Sequence, residues 1–307
     1  MIETKELKFG IYGKCLSISN GKIEVYVTLD FGPRICRCAF VGGENFFKEF
    51  EDFGNGGYLG DDCKFDDNRF FNRGGHRFWL SPESKPRTTY PDNKPIEYKI
   101  TPNGAIFTQS VQEINEVQLS IEIEMSETEN KLSITHNAKN TGYWPKEFST
   151  WAISVSAQGG TQIIPQNTCD TGLLPNRFLS IWPYTDINDP RLTLGNKYIR
   201  LEQNPEIQKA LKIGLMQEHT WAMYFHHDDL FVKTYEVNKN AKYPDNNCTY
   251  ETYVCGKFIE LETLGELKLA NPGETNSHTE TWYLYEGVKL PETDEEVDAL
   301  KEKYNLN

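Results

Sequence analysis

The chain has 307 residues, 38% hydrophobic and 13% aromatic, and its 45 acidic side chains outnumber 32 lysines and arginines for a formal net charge of −13. No run of basic residues interrupts this acidity, which excludes the electrostatic footprint of a nucleic-acid binder. No apolar run reaches the ~20 residues of a membrane-spanning helix.

The opening MIETKELKFG places glutamates ahead of any apolar run, so it does not read as a secretory signal. The cysteines at 15, 36, 38, 63, 169, 248 and 255 are odd in number and scattered, which favours reduced thiols and a cytoplasmic location. Cys36 and Cys38, in the strand-like ICRCAF, are expected to share one buried face. No Cys or His pair at zinc spacing accompanies them, so no metal is expected there. Asn247-Cys248-Thr249 fits a glycosylation sequon, and with no secretory signal expected it is expected to be a coincidence.

From Leu7 to about Phe40, strands alternate with turns, and Asn20-Gly21 marks a hairpin. A polar stretch rich in Gly and Asp follows from Glu44 to Phe71. Its Asp61-Asp62 and Asp66-Asp67 pairs lack the regular ligand spacing of a calcium loop, so no calcium is expected. Strands resume at 98–111, 117–127 and 131–140, and after an irregular stretch at 165–196 they return from Ile213 to Val237. His226-His227-Asp228-Asp229 reads as a solvated turn. Helices are expected at Asn204–Leu211, with Asn204 as N-cap and Pro205 first inside, and at Thr293–Tyr304, where Thr293 and Glu296 form a capping box. The whole is expected to be one all-β domain over 1–307 with few short helices.

Two segments concentrate chemistry. In FNRGGHRFWLSPE, Gly74 and Gly75 permit a tight turn or close approach to a ligand, while Arg73, His76, Arg77 and Trp79 supply donors, a proton-exchanging ring and a flat apolar face. Aromatic faces rimmed by charged groups suit a sugar or sugar acid. In KFIELETLG, strand alternation puts Glu260 and Glu262 on one face about 7 Å apart, where one carboxylate could act as general base. Asp245 and Glu251 could join them, although Glu251 could equally face solvent. Trp151 and Trp221 are open between core packing and ligand stacking. Lys212 and Lys233 would matter only if they point into a cleft.

ELETLG, LANPGE and TETWYLY together resemble the C-terminal signature of the aldose 1-epimerase, or galactose mutarotase, superfamily, and Asn72-Arg73-Gly74-Gly75 resembles the Arg-Gly-Gly segment of its hexose-phosphate epimerase relatives. The resemblance implies a galactose mutarotase-like β-supersandwich, no cofactor, and a small carbohydrate or sugar derivative as partner, bound in a concave cleft. It places Glu262 at the general-base position. Where the family carries its acid histidine, this chain has Trp151, so His76 is expected to supply the acid from opposite Glu262. Arg73, Arg77, Trp79, Trp151, Glu260 and Glu251 are expected to bind substrate. Two alternatives stay open: a non-catalytic carbohydrate-binding or sensing protein, and a sugar lyase or hydrolase drawing on Tyr90, Tyr184 or Tyr243.

Overall fold

A computed structural model of the chain describes residues 1–53, 64–65 and 68–306, with only the backbone of Lys64 and Phe65. The Asp61-Asp62 and Asp66-Asp67 pairs and Cys63 lie outside the described side chains. Alternation of apolar and polar residues produces two large antiparallel sheets, of eleven and ten strands among the described residues. The first runs Glu3–Lys8, Lys14–Ser19, Ile23–Thr28, Ile35–Phe40, Gly75–Ser81, Lys146–Ser156, Ile259–Leu264, Tyr250–Val254, Leu211–Leu215 and Ser180–Ile181, with Lys268–Ala270 branching from Lys146–Ser156. The second centres on Trp221–His226, Asp229–Tyr235, Thr275–Tyr285, Lys131–Asn140 and Val117–Met125.

The inner faces meet in one continuous core. Leu16, Ile18, Val25, Phe78, Ala152 and Leu261 of the first sheet pack with Phe107, Ile121, Ile134, Trp282 and Leu284 of the second. Val117–Met125 shows the cause in its burial, which alternates strictly from end to end, since a period of two sends every second side chain inward.

Asn20-Gly21 forms the expected hairpin turn, with Asn20 Oδ1 accepting from the backbone N–H of Lys22 and Ile23. His227 and Asp228, at φ 51° and 58°, make the tight turn between Trp221–His226 and Asp229–Tyr235. The C-terminal helix, Asp294–Lys303, carries its capping box and buries Val297 against the second sheet. Thr293→Ala should therefore lower stability by about 1 kcal/mol, read as a shift in urea midpoint. An unmoved midpoint would mean that docking alone holds the helix.

Two expectations are corrected. Asn204–Leu211 is not a helix. The Asn204 side chain accepts from Glu206 N–H in a local turn, and Leu211 already begins a fully buried strand paired with Val254. Burial of Leu211, Ile213 and Leu215 in the sheet outweighs a helix of barely two turns. Cys36 and Cys38 do not share a face. Tyr26 pairs with Arg37 and Val27 with Ile35, so Cys36 sits in a bulge and turns to the cluster of Tyr12, Cys15 and Phe31, while Cys38 enters the inter-sheet core.

Candidate functional site

Gly74 and Gly75, both at positive φ, bring the chain against the backbone of Lys48 and of Ile35, where a Cβ would collide with a carbonyl oxygen. This turn sets the phase of the Gly75–Ser81 strand. Arg77 and Trp79 then lie on its outer face, and His76 and Phe78 face the second sheet.

Register completes the outer face. Arg77, Ile153, Glu262, Glu251 and Gly214 form one cross-strand row, with Trp79, Trp151 and Leu264 in the next. Trp151 Nε1 donates to Glu262 Oε2 at 2.8 Å. Lys212 Nζ lies 2.9 Å from the same oxygen and 2.7 Å from Glu251 Oε2, its ammonium packed over the rings of Trp151 and Trp182. Gly214 leaves room for this triad, because a Cβ there would press on Cys248 and Glu251. Arg77 stacks on Trp79 at 4.1 Å and stands 3.8 Å from Glu260 Oε1. Tyr253 and Tyr184 extend the aromatic wall.

The charges are not equivalent. Burial pushes the Glu260 carboxyl up, Glu262 adds to the rise, and Arg77 and Lys212 only partly oppose it, leaving it at about 7. Glu251 rises to about 8, again by burial first, with Lys212 opposing. Burial alone would lower Lys212, but the two carboxylates raise it, so it stays an ammonium. Glu262 is fully buried and its Oε1 has no hydrogen-bond partner among the described residues, whereas the Glu260 side chain keeps 13% of its surface exposed.

The structure thus brings together Arg77, Trp79, Trp151, Glu251, Glu260 and Glu262, and it does not bring His76 or Arg73 to them. His76 is on the opposite face, with Nδ1 hydrogen-bonded to Ser154 Oγ at 2.9 Å and Nε2 to His136 Nε2 at 2.7 Å. The expectation that His76 stands opposite Glu262 is corrected by strand alternation, because neighbours Arg77 and His76 must point apart. Arg73 is held in a clamp instead. It pairs with Asp92 at 2.8 Å, packs over Phe31 at 4.2 Å, and shares that carboxylate with Arg34. Tyr184 borders the site, Tyr90 lines a small cleft beside Arg77 and Trp79, and Tyr243 lies elsewhere, accepting from Asn238 N–H.

Lys212, noted in the sequence as a cation that would matter only in a cleft, joins the site together with Trp182 and Tyr253, which the sequence did not single out. The signal for Lys212 was a lone cation alternating with buried Leu211 and Ile213. For the other two, the signal exists only in the register.

Behind the site lies a buried polar cluster. Lys233 pairs with Glu280 at 2.9 Å and donates to Leu261 O, Trp282 Nε1 donates to Glu280, and Thr263 bridges Glu280 and His278. Burial lowers His136 to about 4 and His278 to about 3 despite Glu280, so these rings are neutral at physiological pH. The ligand atoms of His76, His136 and Glu280 lie within 4.8 Å of one another, a grouping that could be read as a metal site. The residues do not fit one. Two nitrogens each ~2.1 Å from one tetrahedral zinc stand more than ~3 Å apart, whereas 2.7 Å is a hydrogen bond, and the Lys233 ammonium already neutralises Glu280.

No protein-family model matches the chain, and no curated protein matches it. Solved structures do. A TPR-domain containing protein from Parabacteroides distasonis is similar over 92% of this chain at 13% identity with a TM-score of 0.61, and the match spans 49% of that protein. Galactose mutarotase-like proteins from Lactobacillus casei and Clostridium acetobutylicum are both 12% identical, with TM-scores of 0.55 and 0.52 over 88% and 93% of this chain and 100% and 99% of theirs. The fold is therefore the galactose mutarotase-like β-sandwich.

Proposed function

We propose that this chain, on the fold it shares with galactose mutarotase-like proteins, binds a sugar or sugar derivative against the wall of Trp79, Trp151 and Tyr253 and exchanges its anomers by proton transfer. The observation that carries the reading is the pair on one strand face: Glu262, with a buried oxygen lacking a donor among the described residues, and Glu260, titrating near neutrality beside it. An orphaned buried acceptor costs about 1–3 kcal/mol. A sugar hydroxyl reaching Glu262 Oε1 would supply the missing donor.

In this mechanism Glu262 takes the proton of the anomeric hydroxyl while protonated Glu260 gives its proton to the ring oxygen. The bond between C1 and the ring oxygen breaks, the open-chain aldehyde rotates, and closure returns both protons. Trp151 and Lys212 hold Glu262 in place, and Arg77 orients Glu260 or a ligand hydroxyl.

The acid must carry a proton, so the exchange rate should fall as pH rises through about 7, the value set for Glu260 by burial. Exchange NMR across that range on wild type and Glu260→Gln checks this. The variant should be slow and should lack the inflection, and an unchanged inflection would remove Glu260 from the mechanism.

A second reading, a carbohydrate-binding or sensing protein without catalysis, is favoured by one observation: no histidine reaches this face. His76, His136 and His278 lie between the sheets, His226 and His227 in a turn, and His219 beside Tyr198 and Asp298. Saturable sugar binding with no exchange above the buffer rate would select it.

A further inference from the structure

On the far side of the second sheet from Glu262, a groove of about 640 Å³ runs from the end of the C-terminal helix along the outer face of Thr275–Tyr285. That volume lies within the ~300–1,000 Å³ usual for small-ligand sites. Strand alternation builds its floor from hydroxyls, with Thr279 and Thr281 on one strand and Thr234 paired across from Thr281 on the next. Thr279 Oγ1 is hydrogen-bonded at 2.9 Å to Thr135 of the neighbouring strand, so the floor is ordered.

The walls are aromatic. Tyr304, stacked on Tyr285 at 3.7 Å, closes one end, and Trp221 lines the side. Trp221 is 1% exposed and, among the described residues, its indole Nε1 has no hydrogen-bond partner. A buried indole N–H normally finds an acceptor. The charged lining is Glu236, Glu266 and Lys268, and Lys268 is already committed to Glu266 at 3.2 Å. The groove therefore carries a net negative charge and disfavours anions.

We infer that this groove is a second binding site, separate from the Glu262 face, for a neutral polyhydroxylated ligand of saccharide type, held over the threonine floor between Trp221 and Tyr304. Hydroxyl floor and aromatic walls together match such a ligand's alternating C–H and O–H surface.

The test is indole N–H NMR on the full chain, with maltotriose as the neutral probe and inorganic phosphate as the anionic one. Three tryptophans report separately: Trp221 on the groove, Trp151 on the Glu262 face, and Trp282, bonded to Glu280 in the core, on correct folding. Maltotriose should move the Trp221 resonance saturably in the millimolar range while phosphate leaves it unmoved, and the paired substitution Thr279→Val and Thr281→Val should abolish that shift with Trp282 unchanged. A Trp221 resonance that ignores maltotriose, or a shift that survives intact in the valine variant, overturns the site. A shift at Trp151 alone would leave the proposed function standing and remove this one.

Discussion

Lys233→Met should lower the stability of the folded chain by about 3–5 kcal/mol. The side chain is wholly buried between the sheets, where its ammonium meets Glu280 at 2.9 Å and donates to Leu261 O. Burial pushes the Glu280 carboxyl up, but Lys233 and the neighbouring histidines hold it below its ordinary value, so it is ionised in the fold. Methionine replaces the stem and deletes the charge, which strands a carboxylate in a dry core with, among the described residues, only Thr263 and Trp282 as donors. Against a typical domain stability of about 5–15 kcal/mol this is a large fraction. Urea unfolding reads it, with exposed Lys289→Met as the control. The double substitution Lys233→Met and Glu280→Leu should recover part of the loss, since removing both charges leaves neither unpaired. A midpoint no different from the control's would show that the buried pair holds nothing.

Lys212→Met should be comparably costly, about 3–5 kcal/mol, and its cost should depend on pH. Lys212 bridges Glu251 and Glu262, at 2.7 and 2.9 Å. Glu251 already titrates at about 8 rather than its ordinary 4.5, chiefly through burial, and loss of the ammonium pushes it higher. A carboxyl whose folded pKa exceeds its unfolded value keeps its proton while the unfolded chain has released its own. Stability then falls as pH rises through the window between the two values. The deficit against wild type should widen from mildly acidic to mildly alkaline pH. A deficit that is constant or narrows with rising pH would contradict the role given to Lys212.

Much of this fold was legible in the sequence because period-two alternation and turn residues are local signals. Val117–Met125 and Asn20-Gly21 read as they fold. The failures have local causes too: at Cys36 a bulge shifts the phase by one residue, and at Pro205 a short helical pattern yields to the sheet. Of the site, Glu260 and Glu262 were visible as a pair on one strand. Glu251 and Trp151 were candidates to join them, but that Lys212 bridges Glu251 and Glu262 was not visible, because it depends on register between strands far apart in the chain. His76 illustrates the limit. Its neighbourhood in FNRGGHRFW pointed to a ligand site, and alternation after Gly75 sends Arg77 there and His76 into the core.

The account rests on Glu262 acting as the base of an anomeric exchange, and the most direct measurement is the exchange rate of a panel of aldoses, uronic acids and sugar phosphates with wild type and Glu262→Gln. The amide keeps the shape and can still accept from Trp151 and Lys212, but it cannot take a proton. The account predicts exchange above the buffer rate for at least one sugar with wild type, and a loss of about 10²–10⁴-fold in the variant. Equal rates for the two proteins, with a sugar shown to bind, would contradict it.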